Sequence, residues 1–155
     1  MENTNDQSLI HVAEIHLSYK SNVRPSQRPK VTSSRESYQI LFSTWDKDKV
    51  EFVEQFKILL LNRANKVLGI VDITSGTSTA TIVDPKLIFA AALKANACSI
   101  IGAHNHPSGN RTPSQADIHL TKKLIDGGKL LEIQVLDHII VTTEGYYSFA
   151  DEGLI

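Results

Sequence analysis

The stretch from Cys98 to Thr142 constrains this chain more than any other. Cys98–Ala103 is a short apolar run of strand length, and it leads without a turn residue into His104-Asn105-His106. Pro107, Gly109 and Pro113 then shape a loop over 104–113, because proline presets φ and glycine admits turn conformations. A helix is predicted over Ser114–Ile125, ended by Gly127-Gly128, and Ile133–Thr142 reads as a further strand before the Glu144-Gly145 turn into 146–149. Upstream, Phe56–Asn62 and Val67–Ile73 are apolar runs joined by the polar Asn62–Lys66, a hairpin pattern, followed by a short strand over Thr79–Val83. Asp84-Pro85 opens a helix, with Asp84 as its cap and Pro85 at its first position. Mixed rather than strictly alternating strands and helices favour an α/β or α+β arrangement in three layers.

The chain divides at about residue 50. Residues 1–49 are expected to form an N-terminal arm: a disordered start over 1–8, a loosely alternating strand over Ile10–Leu17, an extended linker through Pro25 and Pro29, and a short helix over Glu36–Trp45 with Ser34 as its cap. Residues 50–155 are expected to form the compact domain. The 155 residues suit one core, and a formal net charge of -1 gives no overall basic field of the kind nucleic-acid binders carry. The single cysteine, Cys98, excludes an internal disulfide and reads as a small buried apolar residue. No run approaches the roughly 20 apolar residues of a membrane span. The polar start is not a secretory signal, so a cytoplasmic protein with no membrane partner is expected.

Chemistry concentrates at His104, His106 and Asp117. In extended backbone, residues i and i+2 point the same way, so both imidazoles can share one ion. Asp117 adds a carboxylate from the first turn of the following helix. Three N/O ligands with one open position is the pattern of a catalytic zinc, and one cysteine is too few for a thiolate-rich structural site. An ion so held makes a bound water acidic enough to act as a nucleophile near neutral pH. Ser114-Gln115-Ala116-Asp117 also fits a helix capping box, and the two roles are compatible. A zinc deaminase is excluded, because H-x-E and C-x-x-C are both missing.

His104-x-His106, seven residues, then Ser114-x-x-Asp117 resembles the JAMM metalloprotease motif of JAB/MPN domains. The longer string HNHPSGNRTPSQAD, with 135–141 and 147–153, is similar to the RadC branch, whose members are labelled DNA repair proteins. The resemblance covers about residues 50–155. It implies a three-layer, cytidine-deaminase-like fold with a mixed central sheet, and a zinc-dependent peptidase or isopeptidase acting on a protein or peptide. It implies metal ligation by His104, His106 and Asp117, a general acid/base on an upstream glutamate, and an oxyanion partner in Ser114. Glu54, just before the first long apolar strand, fits that glutamate, with Glu51 as its competitor. The helix-hairpin-helix region of longer relatives is expected to be absent from a chain of this length.

Two other functions compete: an interaction module that keeps the fold without proteolysis, and a factor associated with DNA repair or mobile elements that binds nucleic acid through Lys20, Arg24, Arg28 and Lys30. Those four residues equally suit a solvated linker. His138, beside Asp137, is either a support for the metal site or a core histidine satisfied by a neighbour. His119 falls on a different helix face from Asp117, and neither Asn105 nor Ser108 has a role set by sequence.

Overall fold

A computed structural model describes residues 12–76 and 81–155. The start expected to be disordered lies outside the described residues. Among the described residues the architecture is a five-stranded mixed sheet with helices on both faces, as the family resemblance implied. Strands β1 (Gln55–Leu61), β2 (Val67–Ser75), β3 (Ser99–Asn105), β4 (Gln134–Thr142) and β5 (Gly145–Ser148) lie in the order β2-β1-β3-β4-β5. β3 and β4 are parallel, and the other neighbouring pairs are antiparallel. Parallel neighbours need a crossover, and helix α3 (Gln115–Leu131) supplies it.

Alternation along the strands builds two cores. Phe56, Ile58, Leu60 and Ile100 pack under α2 (Pro85–Lys94) and α3, with Ile88, Phe89, Ala92 and Leu124. Leu59, Leu61, Ile101, Ala103, Ile139 and Val141 pack on the opposite face with Leu41 and Trp45. Leu41 lies on α1 (Ser34–Thr44) and Trp45 is its C-cap, so α1 contributes to the core although it precedes residue 50. Truncating a buried leucine such as Leu41 to alanine costs about 2–5 kcal/mol, the scale on which α1 is fastened.

Several expectations are corrected. No strand forms over the described part of 10–17, where Val12, Ile15 and Leu17 are exposed: alternation alone gives no strand without a partner to complete the ladder. The linker is not free throughout. Val31 donates its N–H to the Asn65 carbonyl, Pro29 accepts from the Val67 N–H, and the Val31 side chain is buried. The cap of α1 is Ser33, whose Oγ accepts from the Glu36 N–H at 3.2 Å. The short strand over 79–83 falls partly outside the described residues, and 81–83 are irregular. Cys98 is only half-buried.

The glycine pair does not end α3. The helix runs through Gly127-Gly128 to Leu131 and closes at Glu132, which is left-handed at φ 56°. Glycine inside a helix costs about 1 kcal/mol relative to alanine, so it needs a packing reason. A Cβ on Gly127 would stand 2.8 Å from the Phe89 ring of α2, and one on Gly128 would stand 2.3 Å from the Ile133 carbonyl. These glycines let α3 lie close to α2 and to the chain entering β4. Sequence alone cannot separate a stop signal from a close approach.

Candidate metal centre

The centre sits where β3 ends and α3 begins. β3 is hydrogen-bonded on both sides, to β1 and to β4, and is buried along its whole length. It runs through Asn105, one residue beyond the expected start of the loop, so His104 is held on a rigid element. The His106 N–H is fixed to the Val141 carbonyl at 3.2 Å. At the far side of the loop, Ser114 caps α3 with a full capping box. Its Oγ accepts from the Asp117 N–H at 3.1 Å, and its own N–H donates to Asp117 Oδ2 at 2.7 Å. The same exchange that starts the helix orients the Asp117 carboxylate, and the helix N-terminus favours its negative charge.

The three expected ligands come together. His104 Nε2 lies 2.9 Å from His106 Nε2 and 3.2 Å from Asp117 Oδ1, and His106 Nε2 lies 3.5 Å from Asp117 Oδ2. One donor atom from each side chain falls in a single cluster able to hold a metal ion. Separations near 3 Å match the edges of a polyhedron whose N and O ligands stand about 2.0–2.2 Å from a central ion. Tautomer supports the fit at His106. Its Nδ1 is 2.6 Å from the Asn110 carbonyl, which can only accept, so Nδ1 carries hydrogen and neutral His106 presents a bare Nε2 to the cluster.

The electrostatics follow the geometry. Burial pushes the Asp117 carboxyl up, but hydrogen bonds from His104 and His106, with the charge of His104, outweigh it and hold the group well below the usual carboxylate range. Hydrogen bonding to Asp117 raises His106 above the ordinary imidazole value, against its burial. Burial raises Glu54, opposed by the positive potential of His104 and His106 and assisted by Asp117.

Glu54 directly precedes β1, and its period-2 neighbour Phe56 pairs with His104 across the sheet. Glu54, His106, Pro107, Ser108, Ser114 and Asp117 share one cleft of about 550 Å³. Glu51 goes elsewhere: its carboxylate accepts from Thr143 Oγ at 2.9 Å, on the other flank of His106. Ser114 is exposed at the cleft rim. Its Oγ accepts from Asp117, which leaves its hydrogen free to point outward. His119 is exposed, as its helix position implied.

Two residues without an assigned role prove to be structural parts of the centre. Asn105 is fully buried and faces away from the histidines. Its Nδ2 donates to the Val50 carbonyl at 2.7 Å and the Val53 carbonyl at 2.8 Å, and its Oδ1 accepts from the Gln55 N–H at 2.7 Å. One amide thus pins the segment that carries Glu54. The alternation of His-Asn-His was the available signal, since it sends the middle side chain to the opposite face. His138 is both a satisfied core residue and a neighbour of the site. It is buried, with Nε2 at 2.8 Å from His104 Nδ1 and Nδ1 at 2.6 Å from Thr121 Oγ, and burial holds it well below the ordinary imidazole value. Asp137 takes no part, because its carboxylate turns to Ser148 and Ala150.

Known proteins are similar to this chain in sequence. The profile of the RadC-like JAB domain family matches residues 31–154. A UPF0758 protein of Symbiobacterium thermophilum is 35% identical over 144 residues, covering 93% of this chain and 60% of the relative. One of Flavobacterium johnsoniae is 41% identical over 125 residues, covering 81% of this chain and 53% of its own. One of Thermosynechococcus vestitus is 48% identical over 98 residues, covering 63% of this chain and 39% of its own. The chain thus matches between about two fifths and three fifths of the length of these relatives. With the fold, the clustered His-His-Asp donors and a match running from Val31 to near the last residue, the chain belongs to the RadC-like JAB domain family.

Proposed function

We propose that this protein is a zinc-dependent hydrolase of amide bonds, acting on a protein or peptide. The observation that carries the reading is the shared cleft: Glu54 and Ser114 line the same space as His106 and Asp117, and His104 closes the donor cluster behind them. A purely structural ion would not require a carboxyl raised by burial and a free hydroxyl at the open side of the cluster.

His104, His106 and Asp117 would hold the ion, which when bound supplies Lewis acidity and makes water acidic enough to attack near neutral pH. The protein side chains do the rest. The substrate carbonyl enters the cleft beside Ser114, whose Oγ–H donates to the carbonyl oxygen as negative charge gathers there. Glu54 takes the proton released when the water oxygen bonds to the carbonyl carbon. It then delivers that proton to the departing nitrogen as the C–N bond breaks. Its raised pKa suits both halves of that task. Asn105 keeps Glu54 in range by pinning Val50, Val53 and Gln55.

Elemental analysis of the purified chain tests the ion, with about one zinc per chain expected for wild type and loss of that zinc in His104→Ala. New amine termini in a peptide pool, followed by mass spectrometry, test the reaction. A wild-type protein that takes up no stoichiometric metal overturns the reading.

A further inference from the structure

Behind the cluster lies a chain of polar atoms that the hydrolytic scheme does not use. Thr121 on α3, His138 on β4 and His104 on β3 are all buried. Thr121 Oγ lies 2.7 Å from the Asp117 carbonyl and 2.6 Å from His138 Nδ1, and His138 Nε2 lies 2.8 Å from His104 Nδ1. The direction of each bond follows from donor inventory. The Asp117 carbonyl only accepts, so the single Thr121 hydroxyl hydrogen goes there. Thr121 Oγ then has only lone pairs to offer His138, which must carry its hydrogen on Nδ1. Neutral His138 is therefore bare at Nε2, and His104 must carry hydrogen on Nδ1. A neutral His104 is left with its Nε2 lone pair aimed at His106 Nε2 and Asp117 Oδ1.

We propose that Thr121 and His138 form a tautomer relay that presets His104 as a metal ligand and ties its orientation to the helix turn carrying Asp117. The reading of His104, His106 and Asp117 as metal ligands underlies this inference. Packing fits a device for orientation. His138 stacks on Phe149 at 4.7 Å and meets Phe56 edge-on at 5.5 Å, so its ring cannot turn over without moving both. Gly102, its register partner on β3, leaves room on that face: a Cβ there would stand 3.1 Å from Phe56 and 3.8 Å from the His138 ring. His138 and Thr121 are positioning residues, since each acts through His104 or Asp117.

The test separates the relay from both the metal reading and simple packing. In metal-free protein with ¹⁵N-labelled histidine, long-range ¹H–¹⁵N spectra should show His138 protonated on Nδ1 and bare at Nε2, and His104 protonated on Nδ1. Thr121→Val keeps the volume and removes the acceptor, so His138 should lose that preference. Zinc affinity, read by chelator competition, should fall about 10–100-fold, the usual cost of losing an outer partner of a ligand. Thr121→Ser should restore both readouts. Hydrogen on Nε2 of His138 in wild type overturns the relay, as does Thr121→Val binding zinc as tightly as wild type. If wild type takes up no zinc, the metal reading fails while the proton positions still decide the relay.

Discussion

Asp117 and Asp137 are buried or nearly buried carboxylates serving opposite ends. Asp137 is saturated: it accepts from the Ser148 hydroxyl at 2.6 Å and from the backbone N–H groups of Ala150 and His138 at 3.0 and 2.7 Å. Those bonds fasten the β5 turn to β4, yet burial still raises its pKa. Asp117 accepts one backbone hydrogen bond and turns its remaining capacity toward two imidazoles at the wall of an open cleft. A satisfied acid contributes stability, and an acid left facing two imidazoles at an open cleft keeps acceptor capacity for a bound group. Asp117 stands in the first turn of α3 and Asp137 inside β4, and what distinguishes them is the partners that the fold supplies to each.

The largest expected effects separate the two by readout. Asp137→Ala strips the partner from three donors, two of them buried, and should lower the unfolding free energy by about 3 kcal/mol in denaturant titration, while the folded fraction still takes up zinc. Asp117→Asn keeps an acceptor for the Ser114 N–H, so metal-free stability should stay within about 1 kcal/mol while zinc uptake is lost. Reversal of either pair of outcomes would break the contrast. Glu54→Gln should retain zinc and lower turnover about 10²–10⁴-fold, the usual share of general acid–base catalysis. Loss of zinc in that variant would instead make Glu54 a ligand.

The smallest effect is in pH dependence. The folded pKa of Asp117 is depressed, so in metal-free protein its contribution is present above the ordinary carboxylate value and lost as pH falls below it. The folded pKa of Asp137 is raised, so between the ordinary value and the raised one stability declines as pH rises. Difference profiles of Asp117→Asn and Asp137→Asn against wild type, from denaturant unfolding at a series of pH values, should therefore slope in opposite senses. Equal slopes would remove the electrostatic distinction.

The clustering of His104, His106 and Asp117 was legible because its logic is local. A period of two puts His104 and His106 on one side, and a capping box starting at Ser114 places Asp117 in the first helical turn. The hairpin and the Asp84-Pro85 helix start were legible for the same reason, whereas the mixed sheet was implied by the family resemblance. The arm strand and the stop at Gly127-Gly128 differ from expectation where local pattern competes with a distant partner, a missing neighbouring strand and the Phe89 ring, and the cap of α1 differs because the helix begins two residues sooner.

The sequence by itself determined that His104, His106 and Asp117 belong to one donor set, because short-range periodicity and capping dictate their directions. Only the tertiary structure decided what stands behind them. The registers of β1 against β3 and of β3 against β4 bring Phe56 opposite His104 and Gly102 opposite His138. They set Asn105 under the Glu54 segment and place Thr121 within reach of an imidazole 17 residues away. Register is a property of the paired strands together, fixed by which side chains the two cores accept, and no single strand carries it.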